Sequence, residues 1–354
     1  MIWLLLIFII GVAFLFVESS KNPTTNWQRA IRYQSIKFNR WMKKSKNQNW
    51  FITICILLFA ILFYLFPTYA NEGRYSSFVL LTIPFSIGIL FTLIFTAAKK
   101  RKLGTIAKWA MVPILGLFVI LGIMAGEGII CLIVYSPIII VPFYFGIIIG
   151  YVIQQKFFTR TFSLLVLFIL NIAASSSKVS VSEDKIISNS IVINVSNKLV
   201  WKKITHHFQF GESNNFFFKN GVSYPLEMNL VSSTACQSLL CKYNNGDVKA
   251  KVLKCDSLKL LRFTIQDSLA SMKETSIYHD SKTMHIYQHF FINYGEFKIE
   301  VMDKNKVKLI ASTSYKHKFN PEIYADIWLE YFISNLHQHV LMKIKTQCEN
   351  EPHY

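Results

Sequence analysis

Histidine and acidic side chains are nearly absent from the first half of this 354-residue chain. All nine histidines follow residue 200, and only Glu18, Glu72 and Glu127 of the 20 acidic residues precede residue 176. With no paired ionisable groups inside its apolar runs, that half lacks the marks of an ion or proton pathway. The whole chain has no His-Glu-x-x-His and no Cys-x-x-Cys spacing, which argues against a metal site. No Cys–His–acid protease pattern is recognisable either. The formal charge of +18 invites nucleic acid as a partner. Its distribution argues otherwise: about +13 belongs to residues 1–175, and the rest holds 22 basic and 17 acidic residues. No basic stripe with interleaved stacking aromatics is found there.

What the first half does have is long runs of Ile, Leu, Phe and Val. A helix crossing a bilayer core needs roughly 20 apolar residues, and lipid requires each backbone polar group to be satisfied within its own segment. Six runs qualify as expected spans: Met1–Val17, Trp50–Tyr69, Ser77–Ala97, Trp109–Ala125, Ile129–Ile153 and Phe157–Ala174. Only Gly126-Glu127-Gly128 separates the fourth from the fifth, which predicts a tight helical hairpin. Glu127 is read as a solvated loop end, with a functional intramembrane acid as the other reading.

Lys and Arg in the loops set the orientation. The loops 18–49, 98–108 and 156–160 hold fifteen of them, and the loops on the other side only Arg74. The basic loops are therefore expected in the cytoplasm, beside anionic headgroups. With six spans the C-terminal domain is extracytoplasmic, in a bacterial-type inner or plasma membrane. One miscounted helix reverses that side.

A Ser-rich stretch, Ala173–Ser182, opens the second half. The expected division is a transmembrane helical region over 1–175, a linker over 176–185, and a soluble domain over 186–349. Ile186–Val195 reads as a strand, and Ser196 as the cap of a helix over Asn197–His206. A loop through Gly211 follows. Short strand-like runs then recur at Tyr224–Val231, Gln237–Tyr243, Val248–Leu253, Lys259–Gln266, His285–Asn293, Glu296–Met302 and Lys306–Tyr315. Turn signals separate them at Asn244-Asn245-Gly246-Asp247, Tyr294-Gly295 and Asp303-Lys304-Asn305. Last comes a long helix from Pro321, after the cap Asn320, to about Cys348. Leu329, Phe332, Ile333, Leu336, Val340 and Ile344 give it one apolar stripe. A strand, a helical region, antiparallel strands and a closing helix make an α+β plan.

An ordered set of residues within that plan resembles the SRPBCC superfamily of START-like and polyketide cyclase/dehydrase-like domains. It comprises Trp201, Gly221-Val222-Ser223-Tyr224-Pro225, Cys241 with Gly246, Met272-Lys273-Glu274 with Tyr278, and His285. It continues with Gly295-Glu296-Phe297, Pro321 with Tyr324, and His337 with Ile344, Lys345 and Glu349. In the first half, Glu127-Gly128-Ile129-Ile130-Cys131 with Pro137 is similar to the hairpin of membrane-attached members. The resemblance implies a helix-grip fold, an antiparallel sheet wrapped on a long C-terminal helix, behind a multi-spanning region.

It also implies a cavity between sheet and helix. Large side chains available to line one are Phe263, Ile265, Phe290, Phe297, Ile299, Tyr315, Trp328, Tyr331 and Phe332; solid core is the alternative reading for each. Glu274, His285, Glu296 and His337 fall at matched positions, and a carboxylate beside an imidazole can do acid–base work. The plainer reading makes them loop-fixing and packing groups. His285 and His289 lie on one predicted strand, about 13 Å apart, too far for one metal ion.

No cofactor is expected. Cys236, Cys241, Cys255 and Cys348 of the soluble domain allow three pairings if exported, with free buried thiols as the default. The expected function is a membrane-tethered binding domain for a lipid or other hydrophobic small molecule. The alternatives are a membrane-bound enzyme of cyclase/dehydrase-like or hydrolase type, and a structural or assembly factor with no ligand.

Overall fold

Alternation decides the architecture of the second half. Strand β1 (Lys185–Ile193) turns Ile187, Asn189, Ile191 and Ile193 inward, while Ile186, Ser188 and Ser190 are exposed. Period two puts one set on the core face and the other in solvent. The same logic extends through seven further strands: β2 (Phe208–Gln209), β3 (Pro225–Leu230), β4 (Ser238–Tyr243), β5 (Gly246–Asp256), β6 (Leu260–Ile265), β7 (Phe290–Asp303) and β8 (Lys306–His317). They form one sheet in the order β1-β8-β7-β6-β5-β4-β3-β2, antiparallel throughout. The computed structural model describes residues 77–96, 101–124, 129–155, 182–230, 238–265, 290–319 and 321–350.

Between β1 and β2 lies helix α4 (Asn197–Thr205), and between β2 and β3 the single turn α5 (Phe216–Lys219). Helix α4 buries Val200 and Ile204, four residues apart. Ser196 sits at its N-cap position, yet its side chain makes no capping bond. Asn215 does cap α5, accepting from the Phe217 N–H at 2.9 Å; the predicted loop through this stretch thus contains a helical turn. The chain closes with α6 (Glu322–Glu349), which lies across β1 and β8 and against α4. An eight-stranded curled antiparallel sheet holding a long C-terminal helix is the helix-grip fold.

Two expectations change here. The Tyr294-Gly295 turn between two predicted strands does not exist, because β7 runs unbroken through it with a bulge between Ile292 and Tyr294. Gly295 has a packing reason instead: a Cβ there would lie 2.8 Å from the Phe263 ring of β6. The bare glycine gives that aromatic ring its seat. Second, the sheet-facing stripe of α6 is Ile333, His337, Val340, Leu341, Ile344 and Cys348. Phe332 turns away, toward α5, and Leu336 straddles both sides. Full burial of a side chain such as Ile344 or Leu309 contributes about 1.5–3 kcal/mol each.

In the first half, α1 (Ser77–Phe95), α2 (Leu103–Met124) and α3 (Ile129–Gln155) cover the third, fourth and fifth expected spans, α2 starting six residues early. The other three expected spans and Glu127 lie outside the described residues. One described stretch, Leu132–Ile153, is long and apolar enough to cross a membrane; Leu81–Leu93 and Leu103–Gly116 are shorter. The six-helix bundle thus remains an expectation.

Helices α1 and α3 meet backbone to backbone. A Cβ at Gly146 would collide with the Phe85 carbonyl, and one at Gly88 with the Phe143 carbonyl. Small residues let helices approach this closely. Pro137 removes the N–H that would reach the Ile133 carbonyl, and the Ser136 hydroxyl takes over that carbonyl at 2.9 Å. Near its start α3 packs on the second half: Ile130 and Val134 join Phe218, Val222, Tyr224, Phe332 and Leu336. The Tyr324 hydroxyl of α6 donates to the Val134 carbonyl.

Candidate ligand-binding site

Among the described residues, the inward face of the sheet is apolar except at two places, the first near its middle and the second where α6 begins. Along β8 the inward positions run Val307, Leu309, Ala311, Thr313 and Tyr315; along β1 they include Asn189. Thr313 and Asn189 interrupt otherwise apolar rows, and His337 of α6 comes down between them. Its Nδ1 lies 2.9 Å from the Asn189 Oδ1 and its Nε2 2.8 Å from the Thr313 hydroxyl. An amide oxygen can only accept, so Nδ1 carries the proton and Thr313 donates to Nε2. The side chain is 4% exposed, and burial pushes its pKa down to about 4. The result is a neutral imidazole with both nitrogens occupied.

Around this polar centre the predicted lining residues separate into three groups. Phe263, Ile265, Phe297 and Ile299 belong to the sheet-side core, Phe263 and Ile265 only partly buried and the two phenylalanine rings 6.2 Å apart. Phe290 lies 5.8 Å from Tyr315, whose ring stacks on His317. Trp328, Tyr331 and Phe332 instead surround Phe217 of α5 at 5.2 to 5.9 Å. That aromatic group faces α5 and α3 rather than the sheet interior.

The acid–base candidates do not converge among the described residues. Glu296 accepts from Arg262 on the neighbouring strand, Nε at 2.6 Å and Nη2 at 2.5 Å. The guanidinium also lies 4.4 Å over the Tyr294 ring. Glu296 alternates with the inward Gly295 and Phe297, so this pair sits on the outer face. Glu274 and His285 lie outside the described residues. No group of three His, Cys, Asp or Glu able to hold a metal is found among the described residues.

Sequence reasoning missed a second polar cluster, where α6 begins. Lys185 of β1 reaches Glu322 at 2.7 Å and Asp326 at 2.6 Å. His317 of β8 holds Asp326 at 3.0 Å through Nε2 and accepts the Phe319 N–H at Nδ1. Burial alone would raise the Asp326 carboxyl, but bonds from Lys185 and His317 outweigh it and hold it below the usual range. This cluster fastens the start of α6 to both strands beneath it. The only sequence hint was a lone lysine opening an apolar strand.

Among the cysteines, Cys255 is disulfide-bonded, departing from the free-thiol default. Cys241 is a free buried thiol, pushed up to about 12 by burial, and Cys348 is buried.

No family model matches the chain, and no curated protein does. Solved structures with a similar trace include a START superfamily protein from Mycobacterium smegmatis, at 8% identity and a TM-score of 0.32. It matches over 47% of this chain and 99% of its own. Norcoclaurine synthase from Thalictrum flavum, solved with dopamine and hydroxybenzaldehyde, matches at 11% and 0.32 over 49% and 90%. The di-domain ARO/CYC BexL matches at 10% and 0.30 over 48% of each chain. The fold assignment rests on the strand order and the gripped helix.

Proposed function

We propose that this protein is a membrane-tethered, START-like receptor of the SRPBCC kind, which takes a lipid or other hydrophobic small molecule between its sheet and α6. One observation carries the reading. Around its middle the described inward face is apolar and aromatic about one neutral polar group, the Asn189–His337–Thr313 triad, whose ring nitrogens are both engaged. The charged Lys185–Asp326–His317 cluster lies at its end, where α6 begins. Ligand pockets are mostly apolar with a few placed polar groups that fix orientation. An enzyme using His337 would first have to break one of its two hydrogen bonds. Glu296 is occupied by Arg262 on the other face.

The tether in this reading is the helical first half, with α3 as a spanning helix. Its sidedness has support that does not depend on counting spans. Helix α2 starts beside the basic 98–108 loop, whereas α3 starts after residues 125–128, which carry no Lys or Arg. It is this end without Lys or Arg, at Ile130 and Val134, that packs on the sheet domain. Basic loops stay cytoplasmic, so the domain belongs on the extracytoplasmic side. A disulfide at Cys255 fits an oxidising compartment.

The test is to purify the full-length protein in mild detergent, extract it with organic solvent and identify bound species by mass spectrometry. A reproducible hydrophobic ligand is expected, retained in Glu296→Gln and lost in Thr313→Phe, with Thr313→Val as the control that loses the hydrogen bond without filling the space. A ligand-free wild type would sink the proposal.

A further inference from the structure

The first turns of α6 carry an exposed apolar stripe. Ile323, Ile327 and Tyr331 follow one another at four-residue spacing and are 79%, 61% and 40% exposed. Phe216 of α5 is also exposed, and its ring is 5.4 Å from Phe217, the centre of the aromatic group on this part of α6. Single exposed apolar side chains are ordinary. A periodic row beside an aromatic cluster is not.

What the row continues into identifies its occupant. Tyr324, between Ile323 and Ile327 in the same turn, packs on Ile138 and Ile139 of α3 and bonds the Val134 carbonyl. Leu336 and Phe332, further along α6, pack on the cluster that contains Ile130. The two helices therefore run antiparallel, and the beginning of α6 lies alongside α3 within the stretch apolar enough to cross a membrane. Past that level α3 exposes Val141, Phe145, Ile148 and Val152. Exposed apolar side chains of α3 and of the first turns of α6 thus flank the contact between the two helices, with the exposed Glu322 beside Ile323 neutralised by Lys185. Glu330 is exposed one turn later, beside Tyr331. Tyr and Trp favour the boundary where one side is apolar and the other wet, which is where Tyr331 and Trp328 stand.

Resting on the membrane-tether reading, we infer that the first two turns of α6, with Phe216, are immersed in the bilayer boundary and contact phospholipid acyl chains. The grip helix then has one end in the leaflet and its middle, at His337, in the domain interior. The Lys185–Glu322–Asp326–His317 cluster holds the immersed end to the sheet, so the domain is seated on the membrane at a fixed angle.

Photo-crosslinking in the full-length protein tests this. Position 323, 327, 141 or 302 receives p-benzoylphenylalanine, and the protein is reconstituted in phosphatidylcholine–phosphatidylglycerol vesicles carrying an alkyne-tagged acyl chain. Met302 is the control, exposed at the hairpin tip and at the opposite end of β8 from His317. Lipid adducts at 141, 323 and 327, several-fold above 302, are the expected result. Adducts at 141 without adducts at 323 and 327 overturn the inference and leave the tether standing. Adducts from 323 or 327 to a second copy of the chain also overturn it. No adduct at 141 removes the tether reading, and the inference falls with it.

Discussion

The two halves bury apolar side chains in different ways. In α1–α3 the closest contacts are backbone against backbone at Gly88 and Gly146, and several hydroxyls bond carbonyls of their own helix, while Tyr144 reaches the Ala107 carbonyl of α2. Thr92 donates to the Gly88 carbonyl at 3.0 Å, and Ser136 repairs the carbonyl that Pro137 orphans. In the sheet domain the contacts are side-chain layers, and polar groups bond across long sequence separations, as in Asn189–His337 and Lys185–Asp326. On the proposed membrane reading lipid is the solvent of the first half, where burial of apolar surface drives little and close packing must hold helices together. Where water is the solvent, apolar burial drives folding and a few polar pairs fix the register.

The most damaging change should be Gly146→Leu, which drives a side chain into the Phe85 backbone. Backbone cannot swing aside, so a loss above about 3 kcal/mol is expected, read as failure to melt cooperatively or to elute as a single species in detergent. A wild-type melt would erase the contrast between the halves.

Next in size is a pH effect peculiar to the sheet domain. His337 titrates near 4 when folded and near 6.5 when unfolded, so the unfolded chain takes up its proton first as pH falls. Its contribution is intact above about pH 6.5 and is lost progressively toward pH 4, about 2 kcal/mol by pH 5. Melting at pH 7 and pH 5 should show a steeper fall for wild type than for His337→Gln. Equal slopes would mean the ring is not held neutral.

Gly295→Ala meets a ring instead of a backbone, and Phe263 can shift. A cost of about 1–2 kcal/mol is expected, with weakened retention of the co-purified ligand because a lining ring has moved. Comparing it with Gly146→Leu measures how much softer side-chain packing is than helix contact. The smallest effect belongs to Glu296→Gln: the side chain is only 12% exposed but keeps one acceptor oxygen for Arg262, so the change should cost about 1 kcal/mol and leave ligand content unchanged. Loss of ligand there would bring the acid back into the site.

Much of the domain was readable because its cues are local. The two-residue turns Asn244-Asn245 and Lys304-Asn305 announce their hairpins, and strand alternation and the long helix follow from period. Gly295 misled because its cause, the Phe263 ring, is 32 residues away in sequence. The tilt of the α6 stripe misled for a similar reason: α5 and α3 compete with the sheet for Phe332. Glu296 and His337 matched the family pattern equally, yet β7 alternation puts one outside and helical phase puts the other inside.

The sequence alone determined that an oily, basic-looped half precedes an α+β half, since hydropathy, charge placement and periodicity are properties of neighbouring residues. Only the tertiary structure decided that His337 is a satisfied neutral ring, that Lys185 meets Asp326, and that α6 starts against α3. Those facts depend on which distant surfaces share a boundary, and chain closure over more than a hundred residues is not written in any local pattern.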